Sequence, residues 1–230
     1  MLLISRRVRA HMHFLITGTD TRVGKTMLGC ALAFAFKVRG MRVGVMKPIE
    51  TGCGGANGAL VPSDGPALIA SASSDLPIAL VSPYRYRSTL PPAAAAEADN
   101  ASPPNFDELC RIHRDIAARN DVTIVEDCGG LAAPIDWNND YADLALALGL
   151  ETILVVANHG AFINEARLVT EYAMRRGLRI GGFILNALDR ESSTSVQRDT
   201  DFIARATRVF CLGTVRFKEP VSLAIVEKLL

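Results

Sequence analysis

The stretch that most limits what this chain can fold into is Phe14 to Thr26, FLITGTDTRVGKT. Phe14, Leu15 and Ile16 make a short apolar strand. Small and hydroxylated residues follow, then Gly24-Lys25-Thr26, then Met27, Leu28, Ala31 and Leu32 at helical spacing. A strand that curls into a helix start points successive N–H groups and the positive end of the helix dipole at one place, which is a phosphate-binding loop. In such a loop Lys25 reaches the β and γ phosphates and the Thr26 hydroxyl takes a Mg²⁺ position. The common motif has four residues between its first Gly and Gly-Lys. Here Thr19, Asp20, Thr21, Arg22 and Val23 separate Gly18 from Gly24, one residue more. An ordinary turn capped by Thr21 would give no reason for Lys and Thr directly after Gly at a helix start.

A chain of 230 residues with 49% hydrophobic content is long enough for one well-buried core. We read residues 1–12 as a disordered arm or a misassigned start, with a second Met at Met12, and 13–230 as a single domain. MLLISRRVRAHM has too short an apolar run for a signal peptide, and no stretch approaches a membrane span. A net charge of +1 argues against a broad basic surface for nucleic acid. The five cysteines are scattered without a C-x-x-C pair, which suits reduced thiols in a cytoplasmic protein rather than metal ligation.

After the loop, periodicity predicts a helix to about Arg39, where Gly40 gives a stop signal, and a buried strand from Arg42 to Met46 that Pro48 ends. Thr51 to Pro66 reads as a long loop, with a short helix after Asp64. From Asp75 to Pro104 six prolines break any long element, and Ala93 to Ala98 allows one or two helical turns. A helix over Phe106 to Arg119, the strand VTIVE, a helix from Tyr141 to Leu148 capped by Asn139 or Asp140, and a strand from Thr152 to Ala157 follow. Then come a helix over Ile163 to Arg176, a strand over Ile180 to Asn186, a helix from Ser195 to Thr207, a strand from Val209 to Thr214 and a terminal helix from Pro220. Strands that are near-continuous runs of Val, Ile and Leu, alternating with helices, predict an α/β fold of the phosphate-loop NTPase type, its mainly parallel sheet flanked by helices.

In such sheets ligands gather outside the carboxyl ends of the strands. That rule collects the phosphate loop, Lys47, Glu126, Asn158 with His159, Asn186 and Arg216. Glu126 suits a hard-oxygen Mg²⁺ ligand beside phosphates, against the plainer role of capping the next loop; Asp127 stays open between the two. Lys47 places positive charge where negative charge grows in a transfer, or is a surface lysine before a turn. Asp64 sits in ordinary turn chemistry, Asn186 could read an adenine edge or close a turn, and His159 and Trp137 read as capping and packing residues.

Together these residues resemble dethiobiotin synthetase, the ATP-dependent ring-closing enzyme of biotin synthesis, over most of the chain. GTDTRVGKT matches that family's GTDTxVGKT with its extra residue, and KPIETG is close to its Lys-Pro-hydrophobic-x-Ser/Thr-Gly segment. Ser63-Asp64, Ser82-Pro83-Tyr84, Glu126 before Gly129-Gly130, Pro134 and Ile163-Asn164 are supporting matches. The resemblance implies a single α/β domain that forms a homodimer, small-molecule substrates (7,8-diaminononanoate, CO₂ and ATP), and neither nucleic acid nor membrane as partner. By similarity, Thr19, Asp20, Thr21, Arg22, Val23, Gly24, Lys25 and Thr26 bind the ATP phosphates. Asn186, Val215, Arg216 and Phe217 contact the base. Thr26, Asp64 and Glu126 surround Mg²⁺, and Lys47, with Lys25 and Thr21, carries the catalysis. Thr51 lines the reacting end, and Ala161, Phe162, Ile163 and Asn164 of a partner subunit meet the substrate carboxylate at a helix start. Three departures bear on substrate more than on fold: Glu126-Asp127-Cys128-Gly129-Gly130 replaces Glu-Gly-Ala-Gly-Gly, Pro92-Ala93 replaces Pro-His, and the usual Pro after the last strand is absent near Arg216.

A ParA/MinD-like ATPase is the rival from another class. Its mark is a second lysine early in the loop, and Thr19 to Arg22 contain none. A third reading is a diverged paralogue acting on another amine.

Overall fold

The computed structural model describes residues 11–56 and 59–230. The arm expected over residues 1–12 lies outside the described residues up to residue 10, and Met12 already belongs to the sheet. In chain order the elements are β1 (Met12–Gly18), α1 (Lys25–Val38), β2 (Val43–Met46), β3 (Ile49–Glu50), β4 (Gly54–Ala56), β5 (Ala59–Val61) and α2 (Asp64–Ala72). Then come α3 (Ile78–Val81), β6 (Tyr84–Arg85), α4 (Pro92–Ala98), α5 (Phe106–Ala117), β7 (Val122–Glu126), α6 (Tyr141–Leu148) and β8 (Glu151–Ala157). The chain closes with α7 (Phe162–Arg175), β9 (Ile180–Asn186), α8 (Arg190–Thr207), β10 (Cys211–Val215) and a 3₁₀ turn over Leu223–Lys228.

Six of the strands form one parallel sheet in the order β10-β9-β8-β1-β7-β2. The period-2 alternation of β1 explains the layers. Phe14 and Ile16 pack with Leu28, Leu32 and Phe36 of α1, whereas Leu15 packs on the other face with Leu109 and Ile112 of α5 and Tyr141 of α6. Leu154, Val156, Phe183 and Leu185 extend that second face toward Val196 and Ile203 of α8. From β1 the chain steps out to β2, returns to β7, and crosses β1 to reach β8. The order therefore reverses about β1, and a crevice opens at the carboxyl ends of β1, β7 and β2. No helix of the described residues is long and apolar enough to cross a membrane, and all five thiols are free.

Local differences from the sequence reading have physical causes. α8 starts at Arg190, five residues before Ser195. Asp189 Oδ1 accepts from Ser192 N–H at 2.7 Å and Ser192 Oγ from Asp189 N–H at 3.2 Å, a capping box that draws a stretch without apolar period into the helix. Asp140, not Asn139, caps α6 by the same device with Asp143. The expected 51–66 loop contains the β4–β5 hairpin before α2. The last strand starts at Cys211 rather than Val209. The expected terminal helix is the 3₁₀ turn, started by Ser222 Oγ accepting from Ala224 N–H at 3.3 Å.

Candidate active site

The loop between β1 and α1 is curled by two residues of left-handed backbone, Arg22 (φ 58°) and Gly24 (φ 100°). A Cβ on Gly24 would stand 2.5 Å from Asn186 Nδ2, so position 24 is restricted by space as well as by φ. Asn186, at the end of β9, is buried beneath the loop and donates from Nδ2 to the Val23 carbonyl at 2.8 Å. Thr19 N–H donates to the Val155 carbonyl of β8 at 3.0 Å. The loop is thus pinned to two neighbouring strands. Lys25 Nζ folds back to donate to the Asp20 carbonyl at 2.9 Å.

Facing the loop, the ends of β2 and β7 bring opposite charges into contact. Lys47 Nζ donates to Glu126 Oε1 at 2.6 Å and to the Asp127 carbonyl at 2.7 Å, and lies 3.2 Å from Asp64 Oδ2. Thr26 Oγ1 donates to the same Glu126 oxygen at 2.7 Å. Asp127, fully buried, lies 3.6 Å from Lys25 Nζ. Burial alone would pull the Lys47 ammonium down, but Glu126 and Asp64 outweigh it and its pKa stands well above the ordinary lysine value. Burial pushes the Asp127 carboxyl up, with Lys25 opposing. Two buried lysines against two buried carboxylates is a costly arrangement that packing alone does not require.

These groups line a cleft of about 420 Å³ together with Thr21, Arg22, Gly24 and Thr51. The cleft also takes in Met27, Thr89, Cys128 and Gly129, which the sequence reading did not place there. Thr51 Oγ1 lies 3.2 Å from Cys128 Sγ, so the thiol that departs from the family pattern touches the residue expected at the reacting end. Thr19, Asp20 and Val23 belong to the loop itself and Asn186 supports it from below, whereas the expected residues after β10 and at the start of α7 do not line this cleft. Phe217 N–H donates to Ser193 Oγ at 2.8 Å and an Arg216 guanidinium nitrogen to the Ser193 carbonyl at 3.2 Å, which docks the segment after Val215 on the first turn of α8. Phe162 lines a separate polar depression with Asn158, His159 and Asp199. The N-cap residue of α7, Ala161, makes no side-chain capping bond, and of the first amides Phe162 N–H donates to the His159 carbonyl at 3.2 Å.

Among the described residues no cluster of three His, Cys, Asp or Glu side chains makes a closed metal cage. The donors fit Mg²⁺ in another way. Glu126 Oε2 is buried without a hydrogen-bond partner, and Thr26 and Asp64 add hard oxygens; Mg²⁺ needs one or two carboxylates when waters and phosphates supply the rest.

A family model described as an AAA domain matches residues 12–223. The ATP-dependent dethiobiotin synthetase BioD of Anaeromyxobacter dehalogenans (strain 2CP-C) is 38% identical over 84% of this chain and 84% of that protein. The chain belongs to the dethiobiotin synthetase family. A second family member, from Anaeromyxobacter sp. (strain K), is 35% identical over 90% of this chain and 87% of its own length. Membership makes the chain an enzyme of the ligase type. Solved structures agree in fold alone. MinD cell division protein from Aquifex aeolicus has a TM-score of 0.56 at 14% identity, covering 94% of this chain and 85% of its own. A ParA family ATPase from Chlorobium tepidum TLS has a TM-score of 0.53 at 16% identity, covering 96% and 89%.

Proposed function

We propose that the chain carboxylates 7,8-diaminononanoate with CO₂ and closes the ring to dethiobiotin, consuming ATP. The observation that carries this reading is the second buried lysine. A nucleotide switch needs Lys25, whereas Lys47 adds an ammonium on the opposite wall of the same cleft, beside Thr51.

One substrate amine attacks CO₂ and loses a proton to give a carbamate. A carbamate oxygen then attacks the γ-phosphorus, and ADP leaves. The second amine attacks the carbamoyl carbon, and the C–O bond to phosphate breaks as the urea ring closes. Lys25 and the loop amides from Thr19 to Thr26 bind the phosphates, with Asn186 and Val215 to Phe217 on the base side. Lys47 and Thr21 stabilise the anionic carbamate and its phosphorylated form, and Thr51 orients the amines. Thr26, Asp64 and Glu126 would hold Mg²⁺, which neutralises charge on the β and γ phosphates when bound. The helix start from Ala161 to Asn164 receives the substrate carboxylate across a homodimer interface. Most of the rate comes from holding amine, CO₂ and γ-phosphate together.

The test is ATP hydrolysis with and without 7,8-diaminononanoate and bicarbonate. Phosphate release that requires both supports the reading. Diamine-independent hydrolysis would favour a nucleotide switch, and release with a different amine a diverged paralogue.

A further inference from the structure

Glu50 lies in the two-residue strand β3, is 3% exposed, and does not itself line the cleft described above. Its carboxylate instead meets the start of α2. Oε1 accepts from the Ser63 backbone N–H, from Ser63 Oγ at 3.1 Å and from Asp64 N–H at 2.9 Å; Oε2 accepts from Gly65 N–H at 3.2 Å. Ser63 stands at the N-cap position of α2 but its own side chain makes no capping bond. A residue thirteen positions earlier in sequence therefore satisfies three of the amides that a helix start leaves without partners.

Two consequences follow from where Glu50 sits. Backbone leaves β3 at Thr51, which lines the cleft, and returns at Ser63 and Asp64, so one carboxylate fastens the departure and the return of the 51–62 excursion. The returning end cannot slide, because a Cβ on Gly65 would stand 2.3 Å from Ser82 Oγ. Asp64 follows directly, its Oδ2 held 3.2 Å from Lys47 Nζ. Negative charge at a helix N-terminus is also favourable in itself, and hydrogen bonds to an ionised acceptor are about twice as strong as neutral ones.

We infer that Glu50 is a positioning residue that sets Asp64 in the Mg²⁺-side wall of the cleft by clamping the N-terminus of α2. This rests on the reading of Asp64 as part of the metal surroundings. Gln keeps the shape of Glu50 but loses the charge and turns an NH₂ group toward backbone donors, so Glu50→Gln releases the clamp with little change of volume.

The experiment is a double-variant cycle of Glu50→Gln and Asp64→Asn. Two quantities are measured: the Mg²⁺ concentration for half-maximal ATP binding, by calorimetry without diamine, and the Mg²⁺ dependence of turnover. Outer partners of metal ligands typically change metal affinity by roughly ten- to a hundredfold. Glu50→Gln is expected to raise the half-saturating Mg²⁺ by about tenfold, to leave ATP binding at saturating Mg²⁺ close to the parent, and to have no further effect in the Asp64→Asn background. Additive effects of the two substitutions would overturn the proposal. An Asp64→Asn variant with a normal Mg²⁺ requirement would overturn the metal-side reading of Asp64 and the Glu50 proposal with it, whereas a normal requirement in Glu50→Gln alone would overturn only the latter. If Glu50→Gln does not fold, amide exchange in the parent decides: Asp64 and Gly65 N–H must be protected as strongly as interior amides of α2, and fast exchange there removes the clamp.

Discussion

The two ends of the sheet bury ionisable side chains in opposite ways. At the carboxyl ends, the buried amines of Lys47 and Lys25 face the buried carboxyls of Glu126 and Asp127. At the amino ends, His13 on β1 and His113 on α5 meet edge to face, with ring centroids 5.3 Å apart, and neither His113 nitrogen has a hydrogen-bond partner. Burial, followed by the neighbouring His13 and Arg114, pulls the His113 imidazole down to about 4. One end sets amines against carboxyls; the other packs imidazoles and sheds their charge. The first arrangement suits chemistry at a cost in stability, and the second suits stability at a cost in acid tolerance.

The sharpest way to break this comparison is at the lysines. Lys25→Ala and Lys47→Met are each expected to lower diamine-dependent phosphate release by on the order of a thousandfold or more. Lys47→Met also strands Glu126, at about 3–5 kcal/mol. Pairing it with Glu126→Leu removes both charges, and urea unfolding should then return close to the parent while activity stays absent. A double variant that remains unstable would mean that the ion pair holds the fold together.

The histidine end is the next largest effect. An unfolded chain takes up a proton near 6.5, but folded His113 does so only near 4. Stability is therefore fully present above pH 6.5 and is lost as pH falls toward 4, by about 3 kcal/mol in all. His113→Leu should flatten the melting temperature between those pH values. An unchanged acid slope would place the sensitivity elsewhere. The smallest effect is expected at a third pair near the same end, Arg42 with Asp121 at 2.9 Å, which is largely exposed. Arg42→Ala should leave melting temperature and activity within experimental reproducibility, because solvent screens such pairs.

Central strands were readable because burial on both faces demands unbroken apolar runs, and VTIVE and TILVVA have no other use in a chain of this length. The first turn of α8 was not, because RESSTS has no apolar period and its helix depends on the Asp189–Ser192 box. At the site, Lys25, Thr26, Lys47 and Glu126 could be listed from strand ends, since polar residues closing apolar runs stand out. The contacts among them could not, because they join residues 79 and 100 positions apart. Glu50 gave only a faint signal, an acid between Ile49 and Thr51 in a stretch otherwise poor in charge. Arg22 takes left-handed backbone in the loop, which no side-chain pattern announces.

The bond from Asn186 to Val23 spans 163 positions, and Thr19 leans on Val155. The loop is encoded within the first 26 residues but acquires its shape from strands made much later. During synthesis, which proceeds from the N-terminus, the nucleotide loop stays unfinished until β8 and β9 have been made. Strands from the later half of the chain thus license the first part to work.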